Sequence, residues 1–307
     1  MYLLIEQLLN GLQLGVTLFL MSAGLTLVFG IMRVINLAHG SFYMIGAYVA
    51  ATVAFHTGSF LLGLLAALPA AALIGMLVEY LILRHLYRRD HLDQVLATFG
   101  LILFFNELTR MVWGRQPLYM DIPPWLAGTV ELIPGAPYPL YRLAVIGVGI
   151  AVGLILYLLF SHTRLGMQIR AGASNREMVA ALGVNIRALY TLVFGLGTLL
   201  AGLAGVMAGP ILAVEAGMGE GVMILTFVVI VIGGIGSLRG ALAAALLVGL
   251  VDTLGRAYLP LLLRAFLPAA SADGAGASIA SMSVYLLMAG VLVWRPRGLF
   301  PAPWREG

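Results

Sequence analysis

From Gln7 to Gly30 no side chain is ionisable, and further apolar runs follow at 41–56, 60–83, 94–113, 142–160, 188–214, 222–236, 240–258 and 281–294. A run of about 20 mostly apolar residues is the length at which a helix crosses the hydrocarbon of a bilayer. At that depth the backbone must satisfy its own hydrogen bonds, which leaves only helices or closed barrels. Continuous rather than alternating apolar runs select helices. The pattern predicts an all-α polytopic membrane protein with about 8 to 10 transmembrane helices. Two runs, 41–56 and 222–236, are short and adjoin glycine-rich breaks, which predicts broken or re-entrant segments that turn inside the protein. The whole chain, 1–307, reads as one membrane domain, with the polar segment 167–187 a loop within it.

Composition excludes the main alternatives. Hydrophobic residues make up 62% of the 307, charged residues 10%, and the mean hydropathy is +1.03. Soluble domains carry roughly 25% charged residues, so this chain lacks the polar surface to face water all round. It has no cysteine, hence no disulfide framework and no thiolate metal site. All 17 basic residues are arginine. Without lysine there is no Walker A phosphate loop and no Schiff-base or catalytic lysine. The net charge of +4 is spread over short loops, not gathered on one face, so nucleic acid is not an expected partner; membrane lipid is. The N-terminus carries Glu6 and no basic residue before a run too long for a cleaved signal, and reads as the first membrane segment.

Arginine placement sets the expected orientation. Arg84, Arg88 and Arg89, then Arg164, Arg170, Arg176 and Arg187, and finally Arg295, Arg297 and Arg305 mark cytoplasmic regions, including the C-terminus. The opposite loops, 114–141, 215–221 and 259–280, are poor in arginine or acidic. The first of these holds prolines 117, 123, 124, 134, 137 and 139 with Trp125 and Tyr138, a rigid external cap suited to the membrane interface.

Within 167–187, Ser174-Asn-Arg-Glu177 fits a capping box, with the serine hydroxyl at the N-cap and a carboxylate three residues later. Gly183 can take the left-handed conformation that ends a helix. The result is a helix of about two turns, too short to stand alone in water. It packs either on its own membrane domain or on a soluble partner. Around Arg33 to Ser41, the polar residues Asn36, His39 and Ser41 sit between membrane-grade runs. A break here would turn backbone groups toward a substrate in a translocation pathway. The other reading has Asn36 and His39 capping helix ends near the cytoplasmic face, and both stay open.

Ionisable residues inside helices are costly. Glu107 and Arg110, and Asp252 and Arg256, have the spacing of neutralising pairs on one helix face. Gly197, Ala201, Gly205 and Gly209 recur at every fourth position, as do Ala241, Ala245 and Gly249, and such ladders let helices approach closely. A faint echo links Phe29–Ala47 with Ile232–Ala245, each a glycine break followed by a small-residue helix.

Four segments carry a family resemblance. Gly24-Leu-Thr-Leu-Val-Phe-Gly-Ile-Met-Arg-Val-Ile-Asn-Leu-Ala-His-Gly-Ser-Phe-Tyr-Met-Ile-Gly-Ala-Tyr48 resembles the N-terminal signature of the LivH-type permeases of branched-chain amino acid ABC transporters. Arg164-Leu-Gly-Met through Ala181-Leu-Gly-Val-Asn185 resembles that family's ATPase-coupling loop. Gly233-Gly-Ile-Gly-Ser-Leu-Arg-Gly240 and Trp294-Arg-Pro-Arg-Gly-Leu299 resemble its later landmarks. The resemblance implies a non-catalytic, multi-pass permease of the bacterial inner membrane with no cofactor of its own, ATP and Mg being bound by partner subunits. The implied partners are two cytoplasmic ATPase subunits, a second homologous permease and a periplasmic solute-binding protein. Arg170, Asn175, Arg176, Glu177, Leu182 and Gly183 are the expected ATPase-coupling contacts. A self-sufficient secondary carrier or channel is the alternative; it needs a buried carboxylate, for which Glu79, Glu107 and Asp252 are the candidates. An intramembrane enzyme lacks a metal cluster, a cysteine or a Gly-x-Ser-x-Gly elbow.

Overall fold

The computed structural model describes residues 2–32, 34–87, 89–133 and 135–301; Arg33, Arg88, Pro134 and Arg305 of the sequence reading lie outside them. The helices in chain order are α1 (Tyr2–Met32), α2 (His39–Thr57), α3 (Phe60–Val78), α4 (Arg84–Leu86), α5 (His91–Trp113), α6 (Leu140–His162), α7 (Arg164–Ser174), α8 (Arg176–Ala181), α9 (Ile186–Ala208), α10 (Met218–Gly233), α11 (Leu238–Leu263) and α12 (Ala269–Trp294). A π-helical turn, Glu79–Leu83, joins α3 to α4.

Seven of these units are long and apolar enough to cross a membrane: α1, α3 with its continuation to Leu86, α5, α6, α9, α11 and α12. Their packing is layered. In α1 and α9 about four-fifths of the apolar stretch is buried (83% and 78%), whereas in α5, α6 and α12 only 22% is. Leu65, Leu73, Ile150 and Leu286 stand exposed on the outer helices. So much outward apolar surface fits lipid, not water. The chain is a multi-pass membrane protein.

The inner layer is held by glycine. A Cβ on Gly24 would lie 2.4 Å from the Gly197 carbonyl oxygen, and one on Gly46 would lie 2.5 Å from Gly202 Cα. On the other side of α1, Gly15 faces Ala245 and Gly249 faces Gly11. Both small-residue ladders therefore serve seams inside the chain, where backbones meet directly and packing replaces a hydrophobic drive.

The two short spans behave as broken segments. The His39 ring lies beside Gly24, a Cβ on which would be 3.1 Å from Nε2. Gly24 is eight residues back from Met32, so α2 starts about 12 Å back along α1, at 1.5 Å per residue. The start of α10 meets it there, because a Cβ on Gly219 would fall 2.0 Å from the Gly40 carbonyl oxygen. The two helix N-termini abut inside the protein.

The proline-rich loop differs from the all-helical expectation. It contains a two-stranded antiparallel hairpin, β1 (Thr129–Ile133) and β2 (Ala136–Pro139), with Val130 opposite Tyr138. Prolines disfavour a central strand but are tolerated at an edge, and each strand here is an edge. The loop is tied to the segment before α10 by a bridge between Leu118 and Val214.

Candidate functional site

All the resembling segments meet at the arginine-bearing end. Gly30 in the last turn of α1 packs on Gly236, and a Cβ on Gly172 of α7 would lie 3.5 Å from the Leu189 side chain and 4.0 Å from that of Ile31. The C-terminal segment closes the group: Leu299 N–H donates to the Ile232 carbonyl (2.8 Å) and Phe300 N–H to that of Gly233 (3.0 Å).

The polar segment holds two helices rather than the one expected. Leu165, Ile169, Gly172 and Ala173 give α7 an inward face, with Ile169, Gly172 and Ala173 buried. The Thr163 hydroxyl caps α7 by accepting from Gly166 N–H (3.1 Å). The expected Ser174 capping box is not formed, because Ser174 is the last residue of α7. Asn175 takes the N-cap of α8 instead. Its backbone is extended (φ −148°), and its Oδ1 accepts from Glu177 N–H (3.1 Å) and Met178 N–H (3.0 Å). Glu177 thereby sits too early for a box, though its charge still suits the helix start. Gly183 ends α8 as expected at φ +87°, and Asn185 caps α9.

Arg170, Asn175, Arg176, Glu177, Leu182 and Gly183 are all exposed on this one folded element. Leu182 is 77% exposed, and Met178 and Met167 are exposed with it. Leu182 and Met178 are apolar residues on a capped helix outside the membrane spans, an arrangement that fits a docking face.

Behind it lies the break at 34–38. Asn36 and His39 are fully buried, and neither the Asn36 amide nor either His39 ring nitrogen has a hydrogen-bond partner among the described residues. Of the two readings left open for this break, helix-end capping by these side chains is not seen: the N-cap of α2 is Ala38, with no side-chain bond. Ile35 N–H is instead received by Gln94 of α5. Its Oε1 accepts from Ile35 N–H (3.2 Å), and its Nε2 donates to the Leu86 and Arg89 carbonyls (both 3.2 Å). Gln94 is buried, and sequence reasoning missed it because its partners lie far off in the chain. Gln94→Leu keeps the volume and leaves Ile35 N–H and the Arg89 carbonyl without a partner, while the Leu86 carbonyl still accepts from Arg89 N–H (3.0 Å). It is expected to cost about 2 kcal/mol, read as a lowered thermal unfolding midpoint in detergent.

Of the three Asn36, His39 and Ser41 pathway candidates, only Ser41 faces open space. It lines a cleft of about 190 Å³ between the start of α2, the middle of α5 and the start of α10. Asn106 and Glu220 line the same cleft, with Asn106 Nδ2 donating to Glu220 Oε1 at 2.6 Å. The sequence alone sets Glu220 in the external loop 215–221 and gives no sign that Asn106 meets it.

The candidate carboxylates are all paired. Glu107 is bonded to Arg110, and Asp252 accepts from Arg256 Nε at 2.9 Å, as their spacing predicted. Glu79 is held by Arg84, Tyr87 and Thr191. Among the described residues no cluster of three or more His, Asp or Glu could hold a metal.

The sequence profile of the branched-chain amino acid transport system permease component matches residues 7–293. The chain belongs to that family. The permease is 30% identical to the high-affinity branched-chain amino acid transport system permease protein BraD of Pseudomonas aeruginosa, over 97% of this chain and 96% of that one. It is 29% identical to LivH of Escherichia coli K12, which carries the same description, over 83% and 87% of the two chains. A more distant relative is the ribose import permease protein RbsC of Escherichia coli K12, 25% identical over 81% and 77%. No solved structure matches the permease.

Proposed function

We propose that this permease is the membrane subunit of an ATP-driven importer for branched-chain or related amino acids in a bacterial inner membrane. Its arginine-bearing end and C-terminus face the cytoplasm, following the bias of arginine toward that side. ATP and Mg are bound by two cytoplasmic ATPase subunits, a second homologous permease completes the pathway, and a periplasmic binding protein delivers the solute. The observation that carries this reading is the exposed apolar patch of Leu182 and Met178 on the capped α8, outside the membrane spans. Family membership supports it, and so does the absence of lysine, without which this chain has no Walker A loop.

Coupling then has a physical route. Closure of the ATPase pair pushes α8 and α7, whose inner face bears on Ile31 and Leu189. Ile31 is in the last turn of α1 and Leu189 in the first of α9, so the push reaches the break at 34–38 and the glycine seam together. Rigid elements between two arrangements are how such coupling is carried.

Affinity purification from native membranes in mild detergent, with mass spectrometry, tests the reading. Recovery of two nucleotide-binding subunits and a second permease is expected. Leu182→Asp and Gly183→Pro are expected to lose the ATPase subunits and ATP-dependent uptake while the chain still inserts. Gly183 sits at φ +87°, which proline cannot adopt. Recovery of the chain alone, with uptake insensitive to ATP depletion, would favour the secondary carrier.

A further inference from the structure

We infer that the cleft at the abutting starts of α2 and α10 is a binding site for a zwitterionic amino acid with an aliphatic side chain. The inference rests on the amino-acid importer reading and adds where, and by which groups, the solute is held.

Three features of the cleft match the three parts of such a solute. The first is donor groups for a carboxylate. The N-terminus of α2 has no side-chain cap, and that of α10 begins after Gly217, also uncapped. The first N–H groups of a helix carry the positive end of its dipole; here those of Ser41 and Glu220 bond back to the Ala38 and Gly217 carbonyls (both 3.0 Å), and those of Gly40 and Gly219 have no acceptor among the described residues. Gly40 and Gly219, each in the first turn of its helix, line the cleft. Ser41 supplies the independent sign. It is 5% exposed, its hydroxyl has no partner among the described residues, and it lines the same space. The hydroxyl opens to the cleft and is not sealed off, and a carboxylate there would accept from it.

The second feature is a carboxylate. Glu220 receives one hydrogen bond, from Asn106 Nδ2, and its other oxygen has no protein donor among the described residues. No arginine lies in the cleft to neutralise it. Asn106 is 9% exposed, and its carbonyl oxygen is likewise without a protein donor. A carboxylate and an amide oxygen side by side suit an ammonium group. The cleft thus offers donors at the helix starts and acceptors at Glu220 and Asn106, the arrangement an α-amino acid needs.

The third feature is the wall. Met44, Ile102, Met223, Ile224 and Phe227 complete the lining. Methionine adapts to different apolar shapes, which fits a set of related aliphatic side chains. At about 190 Å³ the cavity is smaller than the roughly 300–1,000 Å³ of pockets for drug-sized ligands, so one small solute fills it. It opens on the flank of the chain, where Glu220 and Ile224 are exposed, as a pathway shared with a second permease requires.

The test is saturation-transfer NMR of the purified full-length permease with its associated subunits, washed free of soluble binding protein. L-leucine, leucinol and 4-methylpentanoate are the probes. Saturable L-leucine binding is expected, at least about tenfold tighter than either analogue, since each lacks a charge-assisted contact. Glu220→Gln keeps the shape and the bond from Asn106 and removes the charge; Ser41→Ala removes one hydroxyl. Both are expected to weaken leucine binding about tenfold without lowering the yield of folded complex. The site is overturned if leucine does not bind saturably, or if both variants bind as the wild type does. Equal binding of 4-methylpentanoate would also overturn it and leave the cleft as apolar packing. Failure of the importer reading shows separately, as absence of nucleotide-binding subunits from the preparation.

Discussion

Gly205→Ala is expected to destabilise the folded chain by about 3 kcal/mol or more, at the upper end of overpacking costs. A Cβ at this position would stand 2.0 Å from the Tyr43 carbonyl oxygen, 2.9 Å from Tyr43 C and 3.3 Å from Ala47 N. Ordinary contact begins near 3.4 Å, so α2 and α9 would have to part by about 1.4 Å. No rotamer change relieves this, because the obstacle is backbone. The separation would spread along the seam, since Gly46 of α2 and Gly202 of α9 meet one turn away. Gly100→Ala in α5 and Gly147→Ala in α6 are the controls, because a Cβ there meets nothing within 4 Å. Those changes are expected to leave stability unchanged or raise it by up to about 1 kcal/mol, through the lower chain entropy of alanine. Thermal unfolding of the three variants in one detergent reads the difference. A Gly205→Ala chain as stable as Gly100→Ala would mean that the seam is not closely packed in the membrane.

That seam also marks how far the sequence could be read. The four-residue spacing of Gly197, Ala201, Gly205 and Gly209 announces a close helix approach, because only small residues permit one. It does not say which helix approaches, and α2 was identifiable only as a short span beside a break. The spans themselves were legible from hydropathy, and the two short ones from their length. The N-cap of α8 was misplaced by one residue, since Ser174 and Asn175 are both good caps and only the buried face of α7 extends that helix through Ser174. The hairpin at 129–139 was hidden by its prolines. The polar ties were illegible for a different reason. Gln94 serves Ile35, Asn106 serves Glu220 and Thr191 serves Glu79, across separations of 59, 114 and 112 residues. Helical periodicity relates residues three or four apart, and it is silent on such pairs.

The last of these ties carries the other large expected effect. Glu79 lies at the start of the π turn below α3, with its side chain 1% exposed. Its Oε1 accepts from the Tyr87 hydroxyl at 2.5 Å and its Oε2 from the Thr191 hydroxyl at 2.6 Å and Arg84 at 3.4 Å. Arg84 also donates to Thr191 at 3.2 Å and lies over the Tyr80 ring at 4.3 Å. Removing one partner of a buried ion pair costs roughly 3–5 kcal/mol, chiefly because a charge is left uncompensated. Arg84→Met is expected near the lower end, about 3 kcal/mol, because Arg84 is itself 24% exposed and two hydroxyls still serve the carboxylate. Glu79→Gln in the same chain removes the stranded charge and keeps an acceptor for Tyr87. The double variant is therefore expected within about 1 kcal/mol of the wild type. Denaturant titration of the two variants against the wild type separates the terms. If Arg84→Met and the double variant are equally unstable, the arginine stem and its stacking on Tyr80 hold the turn, and the charge does not. Recovery in the double variant would make the pair a charge-specific strut. It joins the π turn to Thr191 in α9, five residues past the start of the helix that α8 leads into. A push on α8 that moves α9 must then move the α3–α4 end with it.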